Sequence, residues 1–135
     1  DKDILIENDD IYAAISYAKA AITASGTASL ECAVLDTPEV VCYKLSYISG
    51  LILKQLNKTP FISMVNLIAN RKIVTEFVQS GVKVKNIVSE ITPLLSNTKQ
   101  RKDMLLGFDE VRRSLGLPGV YKRAAESIMK KTNSG

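Results

Sequence analysis

A chain of 135 residues, 46% hydrophobic and 24% charged, has the size and composition of one soluble globular domain or part of one. It contains no histidine, which excludes Ser-His and Cys-His nucleophile pairs and histidine metal sites within it and leaves any general base to a carboxylate or to a group from elsewhere. The net charge of +4 is uneven: residues 99–131 hold nine Lys/Arg against four Asp/Glu, so the rest of the chain is close to neutral.

The first residues, Asp1-Lys2-Asp3, carry neither a Met nor a signal-peptide pattern, so an upstream region or a tag is expected to have preceded them. Ile4-Leu5-Ile6 predicts a short strand. Asn8, Asp9 and Asp10 are N-cap candidates for a helix whose inner face is Ile11, Ala14, Ile15 and Ala18. Ala20–Thr23 is a short apolar run that predicts a buried strand, and Thr27–Leu35 predicts a helix with no Gly or Pro before Pro38. Val40-Val41-Cys42-Tyr43 is continuously apolar, as strands are in parallel sheets covered on both faces. Cys32 and Cys42 lack ligand spacing and read as reduced thiols of a cytosolic protein, with no metal expected. Strand, helix, strand, helix, strand over about forty residues is a doubly wound pattern, so the expected fold class is α/β with a Rossmann-like parallel sheet.

Within that pattern Ser25-Gly26-Thr27 lies between a strand end and a helix start. The first amides of a helix lack internal partners and the helix dipole adds partial positive charge there, which suits an anion. Gly26 has no Cβ to hold a phosphate away from the backbone, and Ser25 or Thr27 can cap the helix or donate to a phosphate oxygen. Glu31 lies one turn beyond Thr27 on the same face, where a carboxylate can accept both hydroxyls of a ribose. Together they suit a nucleotide or nucleotide-sugar. The same stretch also reads as an ordinary capped turn with a solvated acid. It is neither a Walker loop, having no Lys after the Gly, nor a dinucleotide fingerprint, having one Gly. Right-handed crossovers put the turn at the carboxyl edge of the sheet.

Further on, Ser46–Leu56 predicts a core-facing helix carrying Ile48, Leu51, Ile52 and Leu56, and Thr59–Ser63 an extended piece. In Val65–Arg71 polar groups interrupt an apolar segment, which predicts a functional loop, and Thr75–Gln79 predicts a helical turn stopped at Gly81. Val84, Ile87, Val88 and Ile91 predict a helix that Pro93 shortens. The last third is all helix, with one stripe at Met104, Leu105, Phe108, Val111 and Leu115 and another at Val120, Ala124 and Ile128. These stripes are expected to pack back on the chain's own sheet or to exchange with a second copy, leaving Arg112, Arg113, Lys122 and Arg123 in solvent. The basic charge suits an anionic partner, but a solvated helix face is the favoured reading. The segment lacks the aromatic–basic interleaving of single-strand binders, and no nucleic-acid partner is expected. No apolar run approaches the ~20 residues of a membrane span.

Several motifs in order carry a resemblance: Ser-Gly-Thr-Ala-x-Leu-Glu at 25–31, Pro38, Val40-Val41-x-Tyr43-Lys44, Lys58-Thr59-Pro60-Phe61-Ile62-Ser63, Asn66-Leu67-Ile68-Ala69-x-Arg71 and Glu76-Phe77-Val78-Gln79. Over roughly residues 10–130 the chain resembles the C-terminal part of the lipid-A-disaccharide synthase family, inverting glycosyltransferases of the GT-B class. The resemblance implies transfer of 2,3-diacylglucosamine from its UDP donor to 2,3-diacylglucosamine 1-phosphate, peripheral to the cytoplasmic face of a Gram-negative inner membrane and without a cofactor. It implies that Ser25, Gly26 and Thr27 cradle the donor diphosphate, with Asn66 and Arg71 close to the phosphates and Glu31 on the ribose. Glu76 matches the family's Glu, in a helix-start or structural role. Asn70 stands where the family usually has Gly, and Met64-Val65 replace Leu-Pro. Asn tolerates left-handed backbone angles, so the turn is expected to survive.

The resemblance further implies that residues 1–98 are part of the donor-binding domain and 99–135 are helices packing across domains or in a homodimer. The acceptor site and the base belong to an N-terminal domain, so no catalytic residue is expected in these 135 residues, and alone they are expected to be inactive. Two other classes fit parts of the pattern: a different GT-B UDP-sugar enzyme, of peptidoglycan transferase or epimerase type, and a non-enzymatic helical module that binds through its basic tail. The Lys58–Ser63 and Asn66–Ala69 runs argue against the first, and an α/β cleft at Ser25-Gly26 argues against the second.

Overall fold

The structure, a computed structural model, describes residues 4, 6, 7, 9–24, 26–44, 61–116 and 129. Helix α1 (Ile11–Tyr17) begins at Asp10, whose carboxylate accepts the Ala13 N–H at 2.9 Å and so serves one of the donors a helix start leaves open. Strand β1 (Ala21–Thr23), helix α2 (Gly26–Val34) and strand β2 (Glu39–Tyr43) follow. Then come helix α3 (Met64–Ala69), strand β3 (Thr75–Val78), helix α4 (Val84–Ile91) and helix α5 (Lys99–Leu115), with 3-10 turns at Gln79–Gly81 and Thr92–Leu95. The strands form one sheet in the order β1-β2-β3, every pairing parallel, with Ile22 opposite Val40 and Val41 opposite Glu76. The fold is therefore the expected α/β class, a Rossmann-like parallel sheet with helices.

Several local expectations are corrected. Ile4 and Ile6 belong to no strand and are 73% and 85% exposed. The apolar face assigned to α1 is turned outward at Ile11, 54% exposed, and at Ala14. Residues 65–69 are helix, capped by the Ser63 hydroxyl, which accepts the Asn66 N–H at 3.3 Å. Residues 75–78 are strand instead of helical turn, as their β-branched and aromatic side chains favour. The helix expected over 46–56 and the stripe at Val120, Ala124 and Ile128 lie outside the described residues.

The core gathers Ala33 of α2, Val40 and Val41 of β2, Val65 of α3, Val74, Leu94, and Met104, Phe108 and Val111 of α5. The first C-terminal stripe thus packs back on the chain's own body, although Leu115 stands out of it. Helix α5 is fastened across the amino edge of the sheet. The Glu39 N–H at the start of β2 meets Met104 Sδ at 3.4 Å, and Arg101 donates to the carbonyls of Lys19 and Leu94. Arg112, expected in solvent, instead donates to the Ala33 carbonyl at 2.7 Å and pairs with Asp36 and Asp109, at the negative pole of α2.

Helix α5 approaches the segment before β3 closely because residue 107 is glycine: a Cβ there would stand 2.6 Å from Ile73 Cγ2. Gly107→Ala is expected to lower stability by about 1–2 kcal/mol in denaturant unfolding, the overpacking outweighing the gain in helix propensity. Combining it with Ile73→Val should recover part of the loss.

Candidate functional site

In an all-parallel sheet the carboxyl ends of the strands share one edge, and ligands bind there. β1 ends there at Thr23, and α2 starts three residues later at Gly26. Ser25 lies outside the described residues. A Cβ at Gly26 would be 3.2 Å from Met64 Cγ and 3.7 Å from the Tyr43 hydroxyl. The absence of a side chain at 26 therefore lets the starts of α2 and α3 meet over the end of β2. Thr27 is exposed on the first turn and Glu31 is half-buried one turn on. With Tyr12, Leu30, Val34 and Leu35 they line a groove of about 210 Å³. Gly26, Thr27 and Glu31 thus share one helix, and Thr27 and Glu31 face one groove.

Asn66 sits at a different kind of place. Its side chain is buried, and both amide hydrogens are used: Nδ2 donates to the Val74 carbonyl at 2.9 Å and to Glu76 Oε1 at 2.8 Å. Its Oδ1 accepts the N–H groups of Ile73 at 2.7 Å and Val74 at 3.0 Å. The four bonds saturate the amide, so it has no donor to spare for the phosphate expected beside it. Glu76 in turn accepts the N–H groups of Ile62 and Ser63, both at 2.9 Å, so it holds the start of α3 from the neighbouring strand. That is the structural role foreseen for it.

Asn70 caps α3 at φ 51°, ψ 30°, a left-handed conformation that asparagine tolerates. Arg71 follows it, ahead of β3, and so stands at the amino edge of the sheet. It donates from Nε at 3.2 Å and from Nη2 at 2.6 Å to Glu110 of α5. The structure does not bring Arg71 to the Gly26 turn; the guanidinium braces the loop to α5.

One buried acid went unnoticed in the sequence. Glu39, at the start of β2, is fully buried, and its carboxylate accepts from the hydroxyls of Thr23 at 2.6 Å and Ser29 at 2.5 Å. Burial pushes its pKa up to about 7, with Glu76 adding to the rise, while the two hydroxyls pull the other way. Cys32 is pushed up to about 12 by burial and by the fields of Glu39 and Glu31, which keeps it an unreactive thiol at neutral pH. The signal for Glu39 was a lone acid opening the apolar run Glu39–Tyr43, where a charge has no solvent to face. Among the described residues no group of three or more His, Cys, Asp or Glu could hold a metal ion, and no helix is long and apolar enough to cross a membrane.

Residues 1–130 match the family described as lipid-A-disaccharide synthetase. Curated relatives named lipid-A-disaccharide synthase include one from Acidobacterium capsulatum, 40% identical over 110 residues, which cover 82% of this chain and 28% of the relative. One from Synechocystis sp. is 35% identical over 131 residues, 96% of this chain and 33% of the relative. Another from Syntrophus aciditrophicus is 39% identical over 114 residues, 84% and 30% of the two chains. The chain thus spans about a third or less of the length of these relatives.

Two outcomes follow from the buried polar groups. Asn66→Ala strands two backbone amides and part of Glu76 without partners, and is expected to cost about 3 kcal/mol or more in urea unfolding. Glu39 holds its proton more tightly folded, at about 7, than unfolded, near 4.5. Its contribution is therefore fully present below pH 4.5 and is lost as pH rises through 7, by an amount on the order of 3 kcal/mol. Unfolding midpoints at pH 5 and pH 8 should differ less in Glu39→Gln than in the unaltered protein.

Proposed function

Because this chain belongs to the lipid-A-disaccharide synthetase family, we propose that it forms the donor-binding part of a glycosyltransferase of lipid A biosynthesis. The whole protein transfers 2,3-diacylglucosamine from a UDP donor to 2,3-diacylglucosamine 1-phosphate with inversion. The observation that carries this reading is the meeting of a parallel strand end and a glycine-started helix at the carboxyl edge, with Glu31 on the same helix one turn beyond Thr27. In it Ser25, Gly26 and Thr27 hold the diphosphate through backbone amides and hydroxyls, and Glu31 accepts the ribose diol. Asn66 and Arg71 contribute by position, one fixing the loop into β3 and the other tying it to α5.

Inversion needs a base to deprotonate the acceptor hydroxyl and donors to stabilise the departing UDP. The Gly26 turn supplies the second. The base and the lipid acceptor site are assigned to the rest of the full-length protein, so residues 1–135 alone transfer no sugar. In this reading residues 1–98 are part of the donor domain, and helix α5 packs on that same body. The protein works at the cytoplasmic face of the inner membrane, where the basic third of the sequence meets anionic lipid.

Calorimetry of UDP with the full-length protein tests the site. Glu31→Gln is expected to weaken UDP binding by about 1–3 kcal/mol, as for loss of a hydrogen bond to a charged acceptor, while unfolding stays unchanged because the side chain lies at a helix surface. Equal affinity removes Glu31 from the site, and failure of the unaltered protein to bind UDP removes the reading as a whole.

A further inference from the structure

Tyr43 closes β2, the central strand, at the carboxyl edge. It is 7% exposed, and its hydroxyl is the one buried side-chain polar atom among the described residues that has no hydrogen-bond partner. Buried polar groups are nearly always paired, so an orphan at a ligand-binding edge calls for an explanation. The hydroxyl stands 3.7 Å from where a Cβ of residue 26 would be, against the first residue of the nine-residue helix α2. Met64 Cγ lies 3.2 Å from the same point, so a half-exposed and flexible thioether flanks the hydroxyl.

The surroundings decide what the hydroxyl can bond. Glu39 and Glu76 both bear on it, and each is engaged elsewhere: Glu39 by Thr23 and Ser29, Glu76 by Ile62, Ser63 and Asn66. Burial, followed by the fields of those two carboxylates, raises the phenol pKa, so the group remains a neutral donor at physiological pH. A lysine or arginine here would be drawn to the acids. A phenol keeps its proton available for an acceptor brought from outside.

We propose that the Tyr43 hydroxyl is a positioning donor for an oxygen of the nucleotide diphosphate bound at the Gly26 turn, a bond made only when the ligand is present. The inference rests on the reading of that turn as the UDP site and adds to it a residue from the central strand. The ligand oxygen then meets α2 on one side and the phenol on the other, which fixes the phosphate by a neutral contact that does not hinder release.

Tyr43→Phe in the full-length protein removes the oxygen and keeps the ring. UDP affinity, measured by calorimetry, is expected to fall about tenfold, while the thermal midpoint without ligand stays the same or rises, because no bond in the free protein is lost. A purely structural role would move the midpoint down and leave affinity alone. Affinity within twofold of the unaltered protein overturns the inference while leaving the UDP site standing. A lowered midpoint with unchanged affinity overturns it too, by showing that the hydroxyl is bonded within the protein. If the unaltered protein binds no UDP, the site itself fails, and the Tyr43 role with it.

Discussion

The amide of Asn66 ties together parts of the chain that the backbone alone leaves loose. Helix α3 has six residues, too few to be stable by itself, and β3 has four. Four hydrogen bonds from one side chain couple them: two hold the backbone of residues 73 and 74, one reaches the Val74 carbonyl, and one fixes Glu76. Glu76, so fixed, takes the N–H groups of Ile62 and Ser63 and brings the chain back to the sheet before α3 begins. Because α3 is held there, its first residue Met64 meets Gly26, and the geometry of the carboxyl edge follows. A side chain whose charge is zero does this at little desolvation cost, which a carboxylate or ammonium in the same place would not.

Helix α5 organises the opposite edge. Its cations are used chiefly as caps and braces: Arg101 on the carbonyls of Lys19 and Leu94, and Arg112 on Ala33 at the end of α2, with Arg71 reaching Glu110 from the other side. A surface ion pair such as Arg71–Glu110 adds little by itself. Arginines that satisfy carbonyls at a helix terminus and at loop turns contribute more, because those carbonyls lack partners within their own elements. Part of the basic excess in the last third of the sequence is thereby internal to the fold. Helix α5 is thus fastened across the amino edge, opposite the Gly26 turn.

Much of this was legible in the sequence, and what was not has two causes. Strands β1 and β2 and helix α2 were readable because their apolar runs and the Ser-Gly-Thr turn obey simple periodicity, and the ordered motifs were enough to point to the family. The segment 65–69 read as a loop because Asn66 interrupts its apolar pattern, and 75–78 read as helical because Glu76 does the same in a strand. Both residues are polar groups satisfied by other polar groups far along the chain, 8 and 10 residues apart for the Asn66 bonds to Val74 and Glu76. Periodicity counts such residues as outward-facing, and only the fold reveals their partners. Glu39 escaped for the same reason, its two hydroxyl donors coming from a neighbouring strand and helix. Ile4, Ile6 and Ile11 err in the opposite direction: apolar spacing marks a face that wants burial but cannot name what covers it.

The electrostatics of the carboxyl edge then constrain how an anion can be held there. Two acids, Glu39 at the start of β2 and Glu76 on β3, act on the Tyr43 hydroxyl at that edge, and every hydrogen bond drawn to either comes from a hydroxyl, an amide or a backbone N–H. Arg71, the cation expected nearby, is at the far edge with Glu110. A diphosphate at Gly26 would therefore rest on helix amides and neutral donors, with the charge of Glu39 partly withheld by a pKa of about 7 and Glu76 engaged by three donated bonds. Protonation of Glu39 removes a buried negative charge, so folding stability favours the protonated form. The Thr23 and Ser29 hydroxyls join that acid to the end of β1 and to α2, the two elements that frame the turn.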